Sequence, residues 1–96
     1  MAGLSESVIR EKLQHLPGWS YSGGVIQRQF TFDEFLNGIE FVNRVAELAE
    51  SAGHHPDITI NYNRVTLSLS THSEGGVTQK DFDLAREIHG LERTSK

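Results

Sequence analysis

Hydrophobic residues recur at helical spacing in three segments of the chain, and each segment predicts a helix. The first helix is expected over about residues 6–15, the second begins at about Phe32 and continues to Gly53, and the third follows Thr78. The predicted apolar stripes of these helices are Ile9, Leu13 and Leu16, then Phe35, Ile39, Val42, Ala46 and Ala49, and finally Leu84, Ile88 and Leu91.

The second helix has the clearest start and stop signals. Thr31 and Glu34 have the spacing of a capping box, in which each side chain bonds the backbone N–H of the other residue. Phe30 and Phe35 have the spacing of a hydrophobic staple, the apolar contact that accompanies such a start. Gly53 suits the left-handed position that follows many helices.

Four segments with alternating apolar and polar residues predict strands that form two hairpins. The first hairpin turns at residues 22–24, which include two glycines, and the second reverses at Asn63 and Arg64, so the third strand extends through Tyr62. The connections are too short for parallel crossovers. The pattern therefore predicts an α+β fold of order α-β-β-α-β-β-α, with three helices packed on one face of a four-stranded antiparallel sheet. We expect residues 1–96 to form a single domain.

Composition narrows the functional classes. The chain has 13 acidic and 9 basic residues, a formal net charge of −4, and its basic residues are scattered, which argues against direct nucleic-acid binding. It has no cysteine, which excludes disulfides, thiolate metal ligands and a cysteine nucleophile. No apolar run reaches the length of about 18 residues that a membrane span needs, and the N-terminus does not resemble a signal peptide. A cytoplasmic location is expected by default.

Three of the five histidines fall within 22 residues, the segment 51–72. His54 and His55 follow the second helix, and His72 ends the fourth strand. Because the hairpin between them runs out and returns, we expect these histidines to converge. Glu50, near the end of the second helix, and Asp81, in the first turn of the third, supply carboxylates that can orient or charge the imidazoles.

Three interpretations of this cluster remain open from the residues alone. The histidines could be turn and capping residues, with the sequence GHHP serving as a helix stop. They could form a metal site with Glu50, although adjacent histidines point in different directions and no common zinc spacing is present. General acid and base catalysis without a metal is favoured, because it requires convergent imidazoles with carboxylate partners. His15 and His89 are expected on the surface, and Trp19 in the core.

The spacing of these residues is that of a known signature. The segment ESAGHHP from Glu50, the segment YNRV from Tyr62, the segment LSTH ending at His72, and Asp81 together resemble the signature of the pterin-4a-carbinolamine dehydratases. The resemblance extends to GW at residues 18–19 and to the last helix, and it covers about residues 16–91.

This resemblance implies an α+β fold, in agreement with the pattern above, and a hydro-lyase activity. The family dehydrates 4a-hydroxytetrahydrobiopterin to quinonoid dihydrobiopterin in pterin cofactor recycling, with no electron transfer and no cofactor. On matching positions, the catalytic residues would be His54, His55 and His72. The resemblance further implies that His54 and His72 form the acid–base pair, that His55 and Trp19 bind the pterin, and that Glu50 and Asp81 support the imidazoles.

The resemblance also implies partners. Homodimers or homotetramers are expected, and a 96-residue chain with one covered sheet face favours association as well. The alternative function is a non-catalytic binding module, since some family members act as the dimerisation cofactor of a homeodomain transcription factor. A dehydratase for a related pterin is a further alternative.

Overall fold

The chain folds into three helices and four strands in the predicted order. The computed structural model describes the backbone of residues 3–94 and the side chains of residues 3–91. The elements are α1 (Glu6–Leu13), β1 (Ser20–Ser22), β2 (Val25–Thr31), α2 (Phe35–Ala52), β3 (Asp57–Asn61), β4 (Arg64–Leu69) and α3 (Gln79–Thr94), with a short 3₁₀ helix at His72–Glu74 between β4 and α3. No helix of the described residues is long and apolar enough to cross a membrane.

The strands form one antiparallel sheet in the order β1-β2-β4-β3. The first hairpin turns at Gly23 and Gly24, whose φ angles of 60° and 83° suit glycine. The second hairpin reverses one residue earlier than predicted: β3 ends at Asn61, and Tyr62 occupies the turn with a φ of 55°. The register pairs Asp57 with Ser68, so the start of β3 lies beside the end of β4.

All three helices contribute to a single hydrophobic core on one face of the sheet. Strand β4 supplies its centre through Val65, Leu67 and Leu69, which are fully buried, while the residues between them are polar and half-buried. The helices add Ile9 from α1, Phe41, Val45 and Ala49 from α2, and Phe82, Leu84, Ala85 and Ile88 from α3. The predicted fold class and the placement of the helices are therefore confirmed.

The predicted start of α2 is wrong by about three residues. The helix begins at Phe35, and its capping box is formed by Glu34 and Asn37 instead of by Thr31 and Glu34. The reason is tertiary: Thr31 is still part of β2, where it pairs with Arg64 of β4. The chain therefore cannot turn into a helix until the strand has ended.

The buried stripe of α2 is also displaced from the predicted one. The helix buries Gly38, Phe41, Val45 and Ala49, and of these only Ala49 belongs to the predicted stripe. Phe35 is 44% exposed. Gly38 allows close packing, since a Cβ atom there would lie 3.3 Å from a side-chain atom of Val65 and from one of Phe32. The face of α2 that packs against the sheet therefore includes Gly38 and differs from the stripe that the pattern predicted.

Candidate functional site

His54 is held in place by the way in which α2 ends. Gly53 adopts a left-handed conformation with φ 64°. Its N–H donates to the carbonyl of Glu50, and the N–H of His54 donates to the carbonyl of Ala49. These two bonds form a Schellman motif, which fixes the first residues beyond a helix relative to its last turn. The GHHP sequence is thus a helix stop, and the same stop fixes the backbone of His54.

Asp81 lies in the first turn of α3 and its side chain is completely buried. One carboxyl oxygen, Oδ2, accepts a bond from the Thr71 hydroxyl at 3.0 Å and another from the Thr78 backbone N–H at 2.8 Å. The other oxygen, Oδ1, lies 2.5 Å from Nε2 of His54. A buried carboxyl group with three polar contacts is well satisfied, which is the usual condition for burying such a group.

The contact with Asp81 defines the tautomer of His54. An ionised carboxylate can only accept hydrogen bonds, so with Asp81 ionised the Nε2–H of His54 is the donor to Oδ1. The His54 side chain is 13% exposed and makes no other hydrogen bond among the described residues. The neutral ring therefore offers its second nitrogen, Nδ1, as a proton acceptor. A carboxylate that fixes one nitrogen of an imidazole so that the other can exchange protons is a recurrent acid–base arrangement.

His55 forms the second imidazole–carboxyl pair. Its Nε2 lies 2.9 Å from Oε1 of Glu50, which is on the last turn of α2. Both side chains are open to solvent, with exposed fractions of 63% for His55 and 82% for Glu50. Because such exposed pairs are weak, this contact orients His55 less firmly than Asp81 orients His54.

The prediction that His72 ends the fourth strand is wrong, because β4 ends at Leu69 and the exposed His72 begins the short 3₁₀ helix that follows. Its neighbour Thr71 is buried, and the Thr71 backbone forms a bridge with Gly76 through bonds of 2.8 and 3.3 Å. Thr71 also bonds Asp81, which in turn bonds His54. The predicted proximity of His54 and Asp81 is confirmed by their hydrogen bond, and Thr71 brings the backbone of His72 to the same cluster.

Trp19 belongs to the hydrophobic core, as expected from the sequence. It is 6% exposed and packs edge to face with Phe30 at 6.4 Å between ring centroids. Its Nε1 is buried without a hydrogen-bond partner among the described residues. Trp19 precedes β1, three strands away from β3, a separation of roughly 14 Å across the sheet.

The two remaining histidines differ from each other. His15 is exposed, as predicted. His89 is half-buried, so the prediction that it lies on the surface is wrong. The physical reason is its position on α3 directly after the fully buried Ile88, close to the side that packs on the sheet. Among the residues that the structure describes, no group of three histidine, aspartate or glutamate side chains is arranged to hold a metal ion.

Sequence reasoning missed two members of the site, Thr71 and Thr78. Their hydroxyls lie 2.7 Å apart, and both residues bond Oδ2 of Asp81, one through its hydroxyl and the other through its backbone N–H. In the sequence, the spacing of Thr78 and Asp81 is typical of a helix cap and does not indicate a role at a catalytic site. In the sequence, Thr71 is connected with the site only by its position directly before His72, which carries no information on its hydroxyl.

The comparisons with known proteins identify the family of the chain. The sequence model of the family described as pterin 4 alpha carbinolamine dehydratase matches residues 2–91. A protein of Thermosynechococcus vestitus is 52% identical over 88 residues, which is 92% of this chain and 93% of that protein. A protein of Thermomicrobium roseum is 52% identical over 91 residues, covering 95% of this chain and 98% of its own length. Both bear the name "Putative pterin-4-alpha-carbinolamine dehydratase".

Two solved structures share the fold. The crystal structure of a transcriptional coactivator/pterin dehydratase from Brucella melitensis has a TM-score of 0.88 and 38% identity, and the match covers 93% of this chain and 97% of that one. A pterin dehydratase-like protein, identified as a RuBisCO assembly factor in the alpha-carboxysome, has a TM-score of 0.67 at 22% identity and shows likeness of fold alone. It covers 80% of this chain and 92% of its own. On the family match and the identities over most of its length, the chain belongs to the pterin-4-alpha-carbinolamine dehydratase family.

Proposed function

We propose that this protein dehydrates 4a-hydroxytetrahydrobiopterin to quinonoid dihydrobiopterin and water by histidine acid–base catalysis. The observation that carries the proposal is the bond between His54 and the buried Asp81, which orients one imidazole and leaves its second nitrogen available. Membership of the family supports the choice of a pterin carbinolamine as the substrate.

The reaction needs two proton transfers and no electron transfer. The C4a–O bond breaks as an acid protonates the departing hydroxyl, which leaves as water. A base removes the proton from the neighbouring ring nitrogen, and the electron pair of that N–H bond forms the new C=N bond. Imidazoles suit both steps because their unperturbed pKa, about 6.5, lies near neutral pH.

We assign His54 and His72 to the acid–base pair. The support for His54 is its bond to Asp81, and the support for His72 is its exposed side chain beside Thr71, which anchors its backbone to the same cluster. Asp81 supports the His54 ring, and Glu50 supports His55.

We assign His55 and Trp19 to pterin binding. The exposed ring of His55 can contact a ligand, and its pairing with Glu50 limits its orientation. The assignment of Trp19 follows the family resemblance, and its buried indole N–H is a donor without a partner among the described residues. The proposed proton transfers require neither a metal ion nor an organic cofactor.

The same proposal includes association into homodimers or homotetramers, in the cytoplasm. Strand β3 is an edge strand, and its Ile58 and Ile60 are among the few large apolar side chains that are exposed. An exposed apolar edge strand favours pairing with another chain. Phe35, Leu36 and Tyr62 are exposed as well. Two hydrogen bonds join Phe32, three residues before α2, to Asn63 in the β3–β4 turn, so these side chains lie on segments that are connected to each other.

A second candidate is a non-catalytic module that binds a transcription factor. The observation that favours it is the related Brucella melitensis protein, which is described as both a transcriptional coactivator and a pterin dehydratase. Binding of a transcription factor would not need an oriented His54 ring, so the contact between His54 and Asp81 favours the dehydratase function. A dehydratase for a related pterin would use the same site and differ only in its side-chain specificity.

The test is a stopped-flow assay with synthetic 4a-hydroxytetrahydrobiopterin, in which the disappearance of the carbinolamine is followed with and without protein. The enzyme is expected to accelerate dehydration well above the spontaneous rate and to saturate with substrate. A related pterin with a different side chain, measured in parallel, separates the two dehydratase alternatives. A rate equal to the spontaneous one with both substrates would leave the binding module as the better account.

A further inference from the structure

The buried end of the site contains a directed chain of hydroxyl groups. Thr71 Oγ1 donates to Asp81 Oδ2 at 3.0 Å and lies 2.7 Å from Thr78 Oγ1. A hydroxyl has a single proton to donate. Because the Thr71 hydroxyl uses its proton in the bond to Asp81, the Thr78 hydroxyl must be the donor to Thr71. The donors therefore run from Thr78 through Thr71 to Oδ2 of Asp81, and the Nε2–H of His54 donates to the same carboxyl group from the other side, at Oδ1.

The backbone holds this chain in a fixed geometry. Thr71 is 4% exposed, and its backbone N–H and C=O both bond Gly76. The N–H of Thr78 donates to Oδ2 of Asp81, and the N–H of Asp81 donates to the carbonyl of Thr78. The Asp81 carboxyl group is thus clamped from one side by two donors, which leaves Oδ1 directed at His54.

We infer that Thr71 and Thr78 are positioning residues, which fix the Asp81 carboxyl group and through it the tautomer and orientation of the His54 ring. The inference rests on the proposed function for the reaction it affects, but the ring tautomer can be measured without any turnover. Neither threonine touches the reacting atoms. Thr71 has the larger role because its hydroxyl contacts the carboxyl group directly, whereas that of Thr78 acts through Thr71.

Two substitutions at Thr71 separate the hydroxyl from the methyl group. Thr71→Val keeps the branched shape and removes the donor, while Thr71→Ser keeps the donor and removes the methyl group. Thr71→Val is expected to lower kcat by about 10- to 100-fold, the effect known for outer partners that orient metal-ligating imidazoles, with little change in KM. The kcat of Thr71→Ser should remain close to that of wild type. The kcat of Thr78→Val should fall by a smaller factor than that of Thr71→Val. A residue that only packed its methyl group would give the opposite order at Thr71.

A matched control is Thr66→Val, since the Thr66 hydroxyl bonds Gln29 at 3.4 Å on the polar face of the sheet and contacts none of the site. Its kcat should equal that of wild type. The folded fraction of each variant is measured by urea unfolding, so that rates refer to folded protein.

The readout independent of turnover is the nitrogen-15 spectrum of the His54 ring in labelled protein, which distinguishes the nitrogen that carries hydrogen from the one that does not. Wild type, Thr71→Ser and Thr66→Val should show hydrogen on Nε2, whereas Thr71→Val should show a mixture of tautomers or a displaced Nε2 signal. If folded Thr71→Val keeps both the wild-type ring spectrum and the wild-type kcat, the inference is wrong. If wild type shows no dehydratase activity, the proposed function fails, and the ring spectra still decide the positioning role.

Discussion

Replacing Asp81 with asparagine tests the central contact of the site with almost no change in shape. The Thr78 N–H, which bonds Oδ2 of Asp81, can only donate. In the Asp81→Asn variant the new side-chain amide must therefore place its oxygen there and its NH₂ group toward His54. To accept from that NH₂ group, His54 must move its hydrogen from Nε2 to Nδ1. The proposed proton acceptor is then blocked in the neutral ring.

The expected magnitude follows from this reversal. A carboxylate-to-amide change that imposes the wrong imidazole tautomer lowers turnover by roughly 10⁴-fold where it has been studied, and a positioned acid or base is worth about 10²- to 10⁴-fold. We therefore expect kcat of Asp81→Asn to fall by about 10²- to 10⁴-fold, limited by the spontaneous dehydration rate. Stability should change far less, by about 1 kcal/mol, because the bonds from Thr71 and Thr78 are retained.

The assay is stopped-flow dehydration with the spontaneous rate subtracted, together with urea unfolding. The matched control is Asp83→Asn on the same helix, an exposed residue whose carboxyl group accepts only from Gln79 at 2.9 Å among the described side chains. This variant should keep wild-type kcat. The reasoning would be refuted if folded Asp81→Asn turned over as fast as Asp83→Asn.

Three further predictions concern the ligand, the metal and the assembly. His55→Ala should raise KM more than it lowers kcat, because a positioning residue contributes to binding of the ground and transition states alike; a loss of kcat at unchanged KM would contradict its binding role. Dialysis against a chelator should leave the dehydration rate unchanged, and activity that fell and returned with added zinc or iron would replace the metal-free scheme. Sedimentation at micromolar concentration should give a mass of at least twice the 10.7 kDa of one chain, and a monomer mass would contradict association through the exposed β3 edge.

The fold could be predicted from the sequence because its elements follow from local periodicity. The glycine turn of the first hairpin and the Gly53 stop of α2 depend on backbone conformation alone, and both lie where the pattern placed them. The start of α2 could not be predicted in the same way. Thr31 has the local signal of a helix cap, but pairing with Arg64 in the sheet overrides it.

The candidate site was only partly visible in the sequence. The proximity of His54 and Asp81 follows from the topology, because a hairpin returns the chain to its starting level before α3 begins. Thr71 and Thr78 could not be recognised, since a threonine has no distinguishing pattern and its hydroxyl gains a role only when burial places it against a carboxyl group. The half-buried state of His89 depends on how α3 packs, which periodicity describes only to within a residue.

The most direct test of acid–base catalysis by this site compares His54→Ala and His72→Ala with His15→Ala in the dehydration assay. His15 is the suitable control because it is exposed, whereas His89 is half-buried. Each site variant should lose about 10²- to 10⁴-fold in kcat, within the limit set by the spontaneous rate, while its urea unfolding stays cooperative. His15→Ala should match wild type. If His54→Ala and His72→Ala both keep near-normal turnover, or lose it only by unfolding, the histidines of this segment are structural and the catalytic account is wrong.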